Sequence, residues 1–338
     1  DLRRDSGFSI FYVGINLGAF LAPLIVGYVG ETINWHYGFA IAGFGMLAGL
    51  IQFYYGQNKI IKEDTTHQSK KLKSADWGLI TIISIINIPL ILLILEVNQL
   101  VNKYFFEIFL ALVTFISFYL FTRKKQLLSA KEDLKKIIYI GVLSIFVIFF
   151  WVGFEQAGGS LTLFANNSVD RDFLGFIIPA SFFQSINPLI IILIGPMIAS
   201  FWLRVDRSKS NINTPQKMGL GLLLLAGGFF LITLVNNSSD SAISLWWLVG
   251  VYFLHTLGEL CLSPIGLSMV SKVSPRKIAS LMMGFWFLSS AVANFMAGKL
   301  PEILQSNNLD LFSFLTVTSV IAGLLLLLIS TFMEKLVK

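Results

Sequence analysis

The stretch Phe150-Trp151-Val152-Gly153-Phe154-Glu155-Gln156-Ala157-Gly158-Gly159-Ser160-Leu161, with its continuation Ser181-Phe182-Phe183-Gln184-Ser185-Ile186-Asn187-Pro188, keeps a carboxylate, side-chain amides and a tryptophan inside segments otherwise apolar enough for lipid. A charged carboxylate at membrane depth costs at least about 2.5 kcal/mol on insertion scales, so one is seldom retained without a partner or a task. The rest of the chain reads as the housing of Glu155.

Working outward, 55% of the 338 residues are hydrophobic and 13% are charged, with a mean hydropathy of +0.76. A soluble domain usually carries about 25% charged residues, so the composition describes a polytopic membrane protein. The net charge of +6 would suggest nucleic acid in a soluble chain. Here the basic residues fall in short loops, where the topology rule accounts for them, and no nucleic-acid partner is expected. The single cysteine, Cys261, excludes an intrachain disulfide, and with three scattered histidines it forms no metal set. No cofactor or metal is expected.

Apolar runs of about 20 residues, the length a bilayer asks of a helix, recur ten times, at roughly 7–30, 37–57, 77–97, 104–122, 136–165, 177–203, 216–236, 244–271, 277–299 and 310–335. The fold class is an all-α polytopic membrane protein, since strands of this length would leave open edges in hydrocarbon. Alternate loops collect 22 of the 25 basic residues, leaving only Lys103, Arg171 and Lys299 on the other side. That bias places both ends of the chain in the cytoplasm of a multi-pass protein of the inner membrane. Asp1-Leu2-Arg3-Arg4-Asp5 looks like an interhelical loop and lacks the parts of a signal peptide, so an N-terminal portion is expected to be absent.

Pro23, Pro89, Pro188, Pro196 and Pro264 each remove a backbone donor within a span and predict kinks. Gly14 and Gly18 are spaced for close helix approach, with Asn16 between them. An interhelical hydrogen bond explains Asn16 as readily as a task does. Trp151 and Glu155 stand four apart, on one helical face. No Lys or Arg occurs at comparable depth in any span, so an ion pair for Glu155 cannot form within this chain. His255 and Glu259 repeat the spacing, followed by Ser263 and Pro264. Two midplane carboxylates without a fixed countercharge, Glu155 and Glu259, suggest proton coupling, while His255 is read first as a group that holds its neighbour. Trp286, Phe287 and Ser290 either line a pocket or pack, and spacing alone favours packing.

Four strings alter that balance: Phe11-Tyr12-Val13-Gly14-Ile15-Asn16-Leu17-Gly18-Ala19-Phe20, Phe154-Glu155-Gln156-Ala157-Gly158-Gly159-Ser160, Phe183-Gln184-Ser185-Ile186-Asn187-Pro188 and Gly258-Glu259-Leu260-Cys261-Leu262-Ser263-Pro264-Ile265-Gly266. In this order they resemble the proton-coupled oligopeptide transporter family of the major facilitator superfamily. The resemblance implies a fold of two six-helix bundles, here lacking the first four core helices and carrying two extra helices between the bundles. It divides the chain into residues 1–57, the last two helices of the N-terminal bundle; 58–135, a linker with the two extra helices; and 136–338, the complete C-terminal bundle. With the first four helices would go the family's basic partners for the carboxylates.

The resemblance further implies that Glu155 takes part in proton coupling and that Glu259 meets the amino terminus of a bound peptide, with Asn16 and Asn187 at the same end. Trp151, Trp286 and Phe287 would be pocket aromatics, and Ser263 and Ser290 neighbouring hydroxyls. The expected function is proton-coupled symport of di- and tripeptides across the cytoplasmic membrane by alternating access, with peptides, protons and the bilayer as partners and a monomer as the full-length state. The alternatives are a related carrier of another solute, such as nitrate or a drug, and a truncated membrane protein that does not transport. An enzyme is not expected, because no span pairs a nucleophile with a base.

Overall fold

Within hydrocarbon every backbone N–H and C=O must be satisfied inside its own segment, and the apolar runs accordingly close into helices. The computed structural model describes residues 13–60, 131–208, 212–238 and 242–337. Eight described helices are long and apolar enough to cross a membrane, and they match eight of the ten runs. The runs at 77–97 and 104–122, with Pro89, lie outside the described residues.

The helices are α1, Val13–Thr32; α2, Trp35–Ile60; α3, Lys131–Phe154; the short α4, Ser160–Ser168; α5, Ile186–Arg207; α6, Thr214–Ser238; α7, Leu245–Val273; α8, Ala279–Ser306; and α9, Leu311–Lys335. Two compact units divide the chain, residues 1–46 with 130–338, and residues 47–129. Of the second unit, only the later part of α2 is described.

The prolines act in different ways. Pro23 opens a π-helical turn, Pro23–Gly27, which absorbs the missing donor inside α1. Pro196 and Pro264 sit inside α5 and α7. Pro188 differs from the expectation of a kink in mid-helix. It stands in the first turn of α5, just after a 3-10 turn at Ala180–Ser185, where a backbone N–H has no helical partner to lose.

Glycine sets the closest helix crossings. A Cβ on Gly221 of α6 would lie 2.7 Å from the Gly258 carbonyl of α7, and the reverse holds equally. A Cβ on Gly219 would meet Gly323 O of α9 at 3.2 Å. Small residues let backbones approach in lipid, where no hydrophobic drive exists between helices. Phe150, Leu222, Leu225, Phe229 and Leu248 fill the protein interior beside these crossings, whereas Phe44, Met197, Leu328 and Phe332 are largely exposed. An outward face of that kind suits hydrocarbon and not water.

Helix ends are capped where polar loops begin. Asn213 and Gln216 bond reciprocally at the start of α6, at 2.9 and 3.0 Å, as a capping box does, and Asp310 accepts the Ser313 N–H at the start of α9. Strand pairing, not expected from the sequence, occurs only in loops among the described residues. Val169–Asp170 pairs in parallel with Ile243–Ser244, and Asp172–Phe173 forms a hairpin with Phe176–Ile177. Leu174 and Gly175 turn that hairpin with φ of 57° and 84°, as a two-residue primed turn requires.

Candidate functional site

The carboxylate that organises the sequence sits at a break. Regular α-helix in α3 ends at Phe154, and Glu155–Gly158 continues as a 3-10 turn before Gly159, at φ −122° and ψ −96°, hands the chain to α4. Gly158 and Gly159 have open space where a Cβ would stand, so the break faces room. The amides beside it stitch it together. Gln156 is buried and donates to Val152 O at 3.1 Å and to Ala297 O of α8 at 3.0 Å, while its Oε1 accepts from Ser160 Oγ at 2.7 Å. Gln184 donates to Thr162 Oγ1 at 3.0 Å, and Thr162 donates to Ala157 O at 2.8 Å. Glu155 itself is half-buried. No ion pair engages it among the described residues, where the ion pairs found are Lys217 with Asp206 and Lys299 with Glu302.

The second carboxylate is held across helices. Asn187, on α5, donates through Nδ2 to Glu259 Oε2 of α7 at 2.7 Å and to Thr256 Oγ1 of α7 at 3.1 Å. Thr256 is fully buried and donates its own hydroxyl to Tyr252 O at 2.6 Å. The Glu155 and Glu259 carboxyls lie within electrostatic range of one another. Asn187 thus joins Glu259 across two helices, with Glu155 near enough to act on the pair electrostatically.

The remaining expected residues divide. Asn16 is buried on α1 and lines a cavity of about 1050 Å³. That cavity runs along α5 and α7 past Ile191, Pro196, Leu260 and Pro264 to Lys217, Lys272 and Glu334. None of the other expected binding residues lines it. Trp151 is half-buried beside Phe154, ring centroids 5.1 Å apart and edge to face. Trp286 is buried against Gly266, where a Cβ would collide with the indole, so it packs α8 onto α7. Phe287 is exposed and Ser290 half-buried. Ser263 has a buried Oγ with no hydrogen-bond partner among the described residues. His255 turns its ring toward α6: it hydrogen-bonds the Leu225 backbone, lies 4.5 Å from the Phe229 ring and rests on Gly228. It is a wedge between α7 and α6, whereas the sequence suggests a group that holds Glu259.

One group escaped the sequence reading. Glu31, near the end of α1, accepts the Ala180 N–H at 2.9 Å on Oε2 and the Ser181 N–H at 2.7 Å on Oε1. It thus caps the 3-10 turn that leads into α5. Ser185 Oγ donates to Phe20 O at 2.8 Å in the same seam, and Gly27 leaves room for Ser181. The only signal was an acidic residue at a span end, which reads equally well as loop.

A helix broken beside the half-buried Glu155, and a second half-buried carboxylate held by an amide of the facing helix, are features of a secondary transporter in class. The PTR2 model of the POT family matches residues 1–317. Peptide transporter YePEPT of Yersinia enterocolitica is 33% identical over 97% of this chain and 68% of its own length. The di-/tripeptide transporter of Lactococcus lactis subsp. cremoris is 32% identical over 99% of this chain and 70% of its own. A crystal structure of a mutant of peptide transporter POT in complex with alafosfalin superposes with a TM-score of 0.84 at 32% identity, covering all of this chain and 69% of the other. A POT family transporter in complex with 5-aminolevulinic acid gives 0.79 at 28%, covering all of this chain and 71% of that one. The chain belongs to the POT family, a family of multi-pass membrane transporters and not of enzymes.

Proposed function

We propose that this protein carries out proton-coupled symport of di- and tripeptides by alternating access. The observation that carries the reading is the Asn187–Glu259 pair within electrostatic range of Glu155, in a chain whose relatives include a di-/tripeptide transporter. A peptide ammonium needs acceptors in a site of low dielectric, and a carboxylate with an adjacent amide supplies them. Asn16, Trp151, Ser263, Trp286, Phe287 and Ser290 complete the proposed binding surface, Trp286 through its seat on Gly266. The division into an N-terminal-bundle part at 1–57, a linker at 58–135 and a C-terminal bundle at 136–338 belongs to the same proposal. So do a monomeric state and a place in the inner membrane with both ends of the chain cytoplasmic. The reading is tested by dipeptide uptake into proteoliposomes holding the protein as its gene encodes it. Competition by tripeptides but not by nitrate is expected, and the converse would favour a carrier of another solute.

In that orientation the cavity end bearing Lys217 and Lys272 faces the cytoplasm, and the seam between α1 and the start of α5 closes the periplasmic end. Glu31→Ala leaves the Ala180 and Ser181 N–H groups without their acceptor, at a loss of about tenfold in the closing equilibrium for a hydrogen bond to a charged group. In a Cys261→Ala background, a cysteine at Phe182 is expected to react about tenfold faster with an impermeant thiol reagent applied from outside when Glu31 is alanine. A cysteine at Ser208 stays unlabelled. Equal rates with Glu31 and with alanine would remove the seam from the gate, and labelling at Ser208 would reverse the orientation.

A further inference from the structure

We propose that Thr256 is a positioning residue that fixes which face the Asn187 amide presents to the substrate; this deepens the reading of Glu259 as the ammonium site and rests on it. The Thr256 hydroxyl carries a single proton. It is given to Tyr252 O of the preceding turn, at 2.6 Å. Toward Asn187, 3.1 Å away, Thr256 Oγ1 therefore offers lone pairs only, and the group opposite must be a donor. The Asn187 NH2 is that donor. It spends one hydrogen on Thr256 and the other on Glu259 Oε2, at 2.7 Å, which leaves Oδ1 turned away from both.

The alternative amide orientation exposes the role. With the amide reversed, Oδ1 would face Thr256 Oγ1 across about the same gap with no hydrogen between them, two acceptors in a buried setting where polar groups left unpaired are costly. Turning the buried hydroxyl to relieve that clash would take its hydrogen away from Tyr252 O, so Thr256 favours the amide orientation that needs no such loss. The amide is thus held with its hydrogens toward Glu259 and its oxygen outward. A substrate ammonium then meets Asn187 Oδ1 and the remaining lone pairs of the Glu259 carboxylate together. When Glu259 is protonated it can donate to the amide as well as accept from it, and Thr256 is then the described hydrogen-bond partner of Asn187 that still distinguishes its two orientations.

The test uses Thr256→Val, which keeps the branched shape and removes both hydrogen-bonding functions, and Thr256→Ser, which keeps the hydroxyl. Counterflow of dialanine in proteoliposomes is compared with binding of N-acetyl-dialanine as a competitor. Thr256→Val is expected to raise the half-saturating dialanine concentration by about three- to tenfold, the range of one neutral hydrogen bond, with the maximal rate and the affinity for the acetylated ligand little changed. Thr256→Ser returns to within about twofold of wild type. In an Asn187→Ala background Thr256→Val has no further effect, because the amide it orients is gone.

Equal losses for free and acetylated ligand, or an effect of Thr256→Val that survives in Asn187→Ala, would show a merely structural threonine and overturn the inference. No loss in Thr256→Val, with wild type still preferring the free amino terminus, would overturn it while leaving the Glu259 site standing. If wild type itself binds both ligands alike, the ammonium reading falls and the role of Thr256 falls with it.

Discussion

Glu155→Gln is expected to abolish gradient-driven accumulation of dipeptide while peptide counterflow continues. Glutamine keeps the shape and can still hydrogen-bond, but it cannot carry a proton. A gradient of about one pH unit supplies about 1.4 kcal/mol per proton, or roughly tenfold accumulation for one proton per peptide. The variant should show none of that excess and should equilibrate its substrate instead. Glu155 is suited to the task because it stands at the junction of α3 with the 3-10 turn, half-buried beside open space at Gly158 and Gly159. Its neighbour Gln156 anchors the break to α8. Driven uptake near the wild-type level in the variant would make Glu155 a structural group.

Glu259→Gln is expected to weaken binding itself. A carboxylate facing a peptide ammonium makes a charge-assisted hydrogen bond worth about 1.5–3 kcal/mol, roughly ten- to hundredfold in affinity. The informative ligand is a dipeptide with a blocked amino terminus. Wild type should lose affinity on blocking, whereas Glu259→Gln should lose little more, because the contact it would break has already gone. Equal penalties in both proteins would mean that Glu259 does not read the amino terminus, whatever Asn187 contributes through its 2.7 Å contact.

Glu155 and Glu259 could be found in the sequence because a carboxylate inside an apolar run is conspicuous, and the spans themselves because hydropathy and lysine placement agree. Other features depend on partners far along the chain. Glu31 grips residues 149 and 150 positions away, and nothing in Gly30-Glu31-Thr32 names them. Thr256 looks like any threonine that bonds back to its own helix, which it does. Its second contact exists only because α5 brings Asn187 alongside. The 3-10 break at Glu155 has a local hint in Gly158-Gly159, but whether such a pair bends, breaks or merely packs a helix is decided by the space around it. Trp286 depends on a distant partner in the same way: its indole rests on Gly266, where a glycine on the facing helix leaves room for it, and nothing beside Trp286 in the sequence names that glycine.

The central claim, that Glu155 and Glu259 couple protons to peptide, is tested most directly by proton entry itself. Proteoliposomes holding the protein as its gene encodes it would enclose a pH-sensitive dye, with internal and external pH equal and a negative-inside potential imposed. Addition of dialanine is predicted to acidify the lumen in wild type, to do so in proportion to labelled peptide taken up, and to leave the lumen unchanged in Glu155→Gln. Peptide entry without acidification in wild type, or acidification undiminished in Glu155→Gln, would contradict the account.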